Sequence, residues 1–325
     1  MKPIFTLLAF FAVQNLSSQN MNILTDQQAL AYFTNYTVEK NSLDGMINSP
    51  FPDVRPYISP DGSTLYFGRR DYPDNFAGSK DPQDIWFSTL SPQGLWNEPQ
   101  SMGSPLNDKR ANAICNISPD GKTGIFYNTR KNINSPLVKS FLTNTGWSEP
   151  DPIIIEGYYN HNQYADFYVA FYDKVMLMAI ERDTGLGDQD LYVSHLKKDG
   201  SYSTPVNLGN TINGKNPDYA PFLAPDGTTL FFVSSNREGG FGSSDIYMSQ
   251  RLDNSWQSWS KPINLGESVN TEASECFFSI SSDLRFIFID SKKPNVFDRN
   301  IRVVAFPEEL KPNRFQAYMD LPKGS

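Results

Sequence analysis

Three carboxylates stand at matching places in this sequence. Asp53, Asp218 and Glu275 each follow, by five residues, an Asn that is itself preceded by an aliphatic residue, in Ile47-Asn48, Ile212-Asn213 and Val269-Asn270. Leu106-Asn107 is followed in the same way by Asn112, and Tyr164 takes the corresponding place in a decayed copy, Tyr158-Tyr159-Asn160-His161-Asn162-Gln163-Tyr164. Oxygen groups brought together from several copies of a repeat offer two chemistries. They can hold a hard cation, calcium being the natural one, by oxygen ligation. Alternatively, two carboxylates can act as acid and base on a glycosidic bond. A third reading is structural, in which each is a strand-head group bonding a neighbouring loop backbone. The sequence leaves the three open: Asp53, Asp218 and Glu275 are the catalytic candidates, and Asn112, Tyr164 and His161 join them as candidate ligand contacts.

The elements that must position these residues are hairpins. Ile58-Ser59-Pro60-Asp61-Gly62, Ile117-Ser118-Pro119-Asp120-Gly121 and Leu223-Ala224-Pro225-Asp226-Gly227 are one motif, with apolar runs on both sides. Pro presets φ, Asp bonds its own backbone and Gly accepts positive φ, so each is strand, tight turn, strand. Phe171-Tyr172-Asp173 and Ser281-Ser282-Asp283 are weaker copies, and the five turn Asp residues recur about every 55 residues. A third strand of period two follows in Asp84-Ile85-Trp86, Asp190-Leu191-Tyr192 and Asp245-Ile246-Tyr247. An outer edge strand opens on Trp96, Trp147, Tyr202 or Trp259 and carries a nearby Pro, which suits an edge. Those aromatics are expected to pack between units rather than stack on sugars.

Five units of this kind predict an all-β, five-bladed β-propeller of four-stranded antiparallel blades spanning residues 37–306. The last unit lacks an outer strand, and the residues from Tyr36 to Leu43, ahead of Ile47-Asn48, are expected to supply it and close the ring. Six blades is the alternative, but a sixth unit finds no residues outside 37–306. Arg70, Arg130, Arg182, Arg237 and Lys292 recur after the second strands, and are expected to pair with Asp84, Asp190 and Asp245 across that loop.

The remaining composition mostly excludes. With 28 Lys and Arg against 36 Asp and Glu, a net charge of -8, no basic surface marks nucleic acid as a partner. Two cysteines, Cys115 and Cys276, make no disulfide scaffold and are expected as buried thiols, and His161 and His195 are the sole histidines. Residues 1–18 read as a signal peptide, with Lys2 ahead of the apolar run Ile4 to Val13. That run is too short for a transmembrane span, which needs about 20 residues. Residues 19–36 are expected to hold a short helix, and 307–325 form a C-terminal tail.

The Ser-Pro-Asp-Gly hairpins, the Asp-Ile-Tyr strands and the stretch Ser234-Ser235-Asn236-Arg237-Glu238-Gly239-Gly240-Phe241-Gly242-Ser243-Ser244-Asp245-Ile246-Tyr247 resemble the WD40-like PD repeats. These occur in TolB-type propellers and in periplasmic or OmpA-linked envelope proteins of Bacteroidetes. The resemblance covers roughly residues 50–305 and implies an exported protein, periplasmic, secreted or associated with the outer membrane. Together with the regular blades and the lack of a nucleophile–His–acid arrangement, it leads to the expectation of a non-enzymatic propeller that binds an envelope protein or a glycan ligand. The rival expectation is an exported carbohydrate-active hydrolase of the five-bladed type that uses the channel-mouth carboxylates. No cofactor is expected beyond a calcium ion at the central channel.

Overall fold

The computed structural model describes residue 43 and residues 46–91, 94–128, 136–292 and 299–311. The first blade comprises β1 (Asp53–Ile58), β2 (Thr64–Arg69), β3 (Asp84–Thr89) and β4 (Gln100–Ser101), hydrogen-bonded in that order. The second has β5 (Asn112–Ile117), β6 (Thr123–Asn128) and β7 (Leu137–Thr143), with the small strand β8 (Gly146–Trp147) pairing one end of β7 and the edge strand β9 (Asp151–Pro152) the other. The third is β10 (Asp166–Ala170), β11 (Val175–Ile180), β12 (Asp190–His195) and β13 (Val206–Asn207). The fourth is β14 (Asp218–Leu223), β15 (Thr229–Ser235), β16 (Ser244–Gln250) and β17 (Ile263–Asn264), and the fifth has β18 (Ser274–Ile280), β19 (Phe286–Lys292) and β20 (Arg299–Ala305).

Turn chemistry accounts for the hairpins. Gly62, Gly121 and Gly227 take φ of 73°, 71° and 66°, and the Asp before each accepts backbone N–H groups just beyond the turn. Where Gly is lost, Lys174 and Leu284 adopt the same left-handed conformation, at φ 55° and 51°. The strand pairing on both sides holds each turn against the cost of a Cβ there, and at Leu284 the preceding Asp283 also accepts the Arg285 N–H.

Packing is between blades, and it closes the ring. Five buried apolar clusters fill the five seams: Ile85 with Ile114 and Phe126; Ile125 with Val169 and Met178; Leu177 with Phe232 and Tyr247; Phe231 with Ile289 and Phe306; and Phe67 with Phe288 and Ile301. The last joins the fifth blade to the first and also takes in Leu43 and Ile47 from the N-terminal side. The cassette aromatics lie in these seams. Trp96 meets the Phe288 ring of the neighbouring blade edge-on at 6.5 Å, and Tyr202 and Trp259 are buried.

Asn48 completes the fifth blade. Its side chain bonds both backbone groups of Ile301 on β20, as Asn107 does for Ile85, Asn213 for Leu191 and Asn270 for Ile246 in the blades that have their own outer strand. Apart from Leu43, the expected closing strand lies outside the described residues, as do the signal peptide, the 19–36 helix and all of the tail beyond residue 311. No described helix is long and apolar enough to cross a membrane.

Candidate functional site at the mouth of the central channel

The first strands β1, β5, β10, β14 and β18 line the central channel, and their heads form its mouth. Asp53, Asn112 and Asp218 open β1, β5 and β14, and Glu275 is the second residue of β18, each with no solvent exposure. Each accepts the N–H of the residue four positions earlier, from Ser49, Asp108, Gly214 and Thr271. The three carboxylates are also ion-paired. Arg69 Nε lies 3.0 Å from Asp53 Oδ1, Arg237 Nη2 3.1 Å from Asp218 Oδ1, and Arg302 Nη2 3.1 Å from Glu275 Oε1.

Each of these arginines donates as well to the carbonyl just before the repeated Asn, that of Ile47, Ile212 or Val269. One guanidinium thus ties a strand head to the loop that enters it. Burial pushes the carboxyls of Asp53, Asp218 and Glu275 up, while the Arg charges and loop N–H groups oppose it. Both oxygens of each carboxylate are thus engaged inside the protein.

What does enter the channel comes from β-bulges. The first strands slip register between Val54 and Tyr57, Ile114 and Asn116, Tyr219 and Phe222, and Glu275 and Phe277. Arg55 and Ala220 sit at two of these slips with φ of 53° and 48°. Arg55 donates its N–H to Asp290 Oδ2 at 2.9 Å, and Asp290 Oδ1 accepts from Phe277 N–H at 2.8 Å. The Arg55 guanidinium lies over the Phe277 ring, 3.7 Å from its centre, and its Nη2 reaches Asp166 Oδ1 at 2.8 Å. Asp166 Oδ2 accepts the Ala220 N–H at 3.3 Å. Arg299 stands nearby, 3.8 Å from Asp290 and donating to Cys276 Sγ at 2.9 Å. Burial pushes the Cys115 thiol up to about 12 and that of Cys276 up to about 11, so both are neutral thiols. Among the described residues no three carboxylate, imidazole or thiol groups converge to hold a metal ion.

No family model matches the chain, and no curated protein matches it in sequence. Solved structures match it in shape. The catalytic domain of the GH62 alpha-L-arabinofuranosidase of Coprinopsis cinerea superposes with a TM-score of 0.54 at 9% identity, over 80% of this chain and 94% of that one. The alpha-L-arabinofuranosidase of Podospora anserina, in complex with cellotriose, gives 0.52 at 14% identity over 82% and 92%. A putative TolB from Agrobacterium tumefaciens gives 0.45 at 18% identity over 78% and 77%. What they share with this chain is the propeller. At these identities the likeness is one of fold, and a propeller does not carry its chemistry with it.

The channel mouth differs from its sequence reading in three places. Tyr164 is not a strand head: β10 starts at Asp166, and Tyr164 lies 62% exposed before it. This blade pairs β10 and β11 without a bulge, so counting five residues on from an Asn fails there. His161 sits on an exposed loop, its Nε2 2.8 Å from Asp183 Oδ1, beside Tyr159 and Arg182. The expected Arg pairing with Asp84, Asp190 and Asp245 is also corrected. Arg237 turns to Asp218, while Asp190 and Asp245 cap loop N–H groups at Leu186, Gly187, Phe241 and Gly242. Arg182 donates to the Gly157 carbonyl, and Arg130 lies outside the described residues. Sequence reasoning missed Arg55, Asp166 and Asp290. A Pro after Arg55 and after Ala220 was the available signal of a break in the first strands.

Proposed function

We propose that this chain is a non-enzymatic binding propeller of the bacterial cell envelope, exported by its N-terminal segment. The observation that carries the reading is the state of Asp53, Asp218 and Glu275: each is fully buried and tied to an arginine and a loop N–H. A glycosidase needs two carboxyl groups facing the scissile bond from either side. The apolar run Ile4 to Val13 and the PD-type repeats support export and an envelope setting. A regular ring with a donor-rich channel supports binding.

The test has two arms. The full chain is expressed in a Gram-negative host and fractionated, with export expected and retention in the cytoplasm counting against the envelope assignment. Purified protein is then incubated with arabinan, xylan and peptidoglycan fragments alongside Asp218→Asn and Glu275→Gln. No turnover is expected from any of the three. Turnover by the wild type that both folded variants lose would establish the hydrolase instead.

A further inference from the structure

Arg55 ties three of the five blades together. It belongs to the first blade, its N–H is held by Asp290 of the fifth, and its guanidinium stacks on Phe277 of the fifth and meets Asp166 of the third. Around it lies a cavity of about 60 Å3 to which every blade contributes, with Arg55, Cys115, Asp166, Ala220 and Phe277 among its walls. The left-handed backbone at Arg55, φ 53°, is disfavoured in an L-residue, and such strain collects where a side chain has to be aimed.

The two charged groups leave bonding capacity unused. A guanidinium has five N–H donors, and the Asp166 contact engages only Nη2. That contact is an ion pair by distance without an aligned hydrogen bond, so Asp166 Oδ1 is buried with no hydrogen-bond partner. One side of the cavity therefore offers planar donors backed by an aromatic ring, the arrangement suited to a carboxylate. The other offers Asp166 Oδ1, a buried acceptor ion-paired to Arg55 but with no aligned hydrogen bond. On the same measure one water needs roughly 10–15 Å3, so the space takes about five non-hydrogen atoms.

We propose that the channel holds the hydroxy-acid end of a ligand, a CH(OH)COO− unit, with the carboxylate on the Arg55 guanidinium and the hydroxyl donating to Asp166 Oδ1. This unit has the size of the cavity and supplies both missing partners. The proposal rests on the reading of the ring as a binding propeller and names what it binds: a small free 2-hydroxy acid, or a carbohydrate acid that presents the same group.

Isothermal titration of the full chain with glycolate and gluconate tests it, against propionate without the hydroxyl, glycolamide without the charge, and sulfate of similar size without a donor. Glycolate or gluconate is expected to bind at least about tenfold tighter than the three controls, as the loss of one hydrogen bond to a charged group implies. Preference for glycolate identifies the free acid, preference for gluconate the carbohydrate acid. Arg55→Gln is expected to weaken binding by about tenfold or more, and Arg55→Lys, which keeps the charge but loses the planar edge, also to weaken it. Both are checked for folding by thermal melting, and the ligand series on the wild type decides if neither folds. Equal affinity for glycolate, gluconate and propionate, or an unchanged Kd in a folded Arg55→Gln, overturns the assignment. Glycan turnover would sink the binding reading independently, whereas absence of both turnover and hydroxy-acid binding removes only this ligand.

Discussion

Asn48 holds Ile301 across 253 residues of chain, its Nδ2 donating to the Ile301 carbonyl and its Oδ1 accepting the Ile301 N–H, both at 2.9 Å. The bond closes the ring with the same unit that the first, third and fourth blades use internally. Asn48→Ala leaves both backbone groups of a buried strand without these partners, and should cost about 2–4 kcal/mol. Asn270→Ala, which strips Ile246 in the same way, should cost a similar amount. Urea midpoints of the two variants measure this. A loss in Asn270→Ala with none in Asn48→Ala would show that the ring is not held at its ends.

The strand-head ion pairs should matter in proportion to their burial. The Arg69 side chain is 7% exposed and rests on the Tyr72 and Trp86 rings, each centred 4.6 Å away, whereas that of Arg237 is 22% exposed. Removing one partner of a buried pair strands the other charge. Arg69→Ala is expected to lose roughly 3–5 kcal/mol and Arg237→Ala less, about 2–3 kcal/mol, since solvent screens it. Denaturation midpoints in the reverse order would contradict this account of the heads as structural.

Asp84 gives the fold a pH dependence. Its Oδ2 accepts the Phe76 N–H at 2.7 Å, but Oδ1 is buried without a hydrogen-bond partner, whereas the Oδ1 atoms of Asp190 and Asp245 accept the loop N–H groups of Gly187 and Gly242. Burial, with the Asp81 and Asp108 charges, pushes the Asp84 carboxyl up to about 6. A group with a raised folded pKa binds its proton more tightly in the native state, so it adds stability as pH falls from 7 through 6 toward 4 and withdraws it as pH rises. Asp84→Asn should therefore lower that slope and alter stability at pH 7 relative to pH 4.5 by roughly 1–3 kcal/mol. Melting temperatures at the two pH values, compared with the wild type, measure it, and identical slopes would exclude Asp84 as the titrating group.

How far the sequence is readable follows from how local each signal is. The Pro-Asp-Gly turns are contained within four or five residues, and the Asn to Asp53, Asp218 and Glu275 spacing is contained within six, so hairpins, blade count and every strand head but that of the third blade follow from counting. The arginines that neutralise those heads do not. Arg69 lies in β2, Arg237 beyond β15 and Arg302 in β20, and they converge only in space. Arg55 and Asp166 are harder still, belonging to blades that are not neighbours and meeting only because a bulge turns Arg55 into the channel. Register slips of this kind leave little trace in period-two patterning.

Two glycines separate backbone freedom from space as reasons for glycine. Gly62 has φ of 73° in its hairpin turn, and a Cβ there would meet nothing within 4 Å. Ala at that site pays only for the left-handed conformation, about 1–2 kcal/mol. Gly242 lies where its N–H caps Asp245, and a Cβ would stand 2.0 Å from the Ala273 carbonyl oxygen and 2.6 Å from that of Thr271. Those are backbone atoms at the entrance to β18, where a shift would disturb Glu275 and its bond to Thr271. Gly242→Ala is expected to cost more than Gly62→Ala, by about 1–3 kcal/mol, because the loop must move or lose its cap on Asp245. Paired urea titrations decide it, and a smaller loss in Gly242→Ala would mean that the loop between β15 and β16 yields without disturbing the strand head beside it.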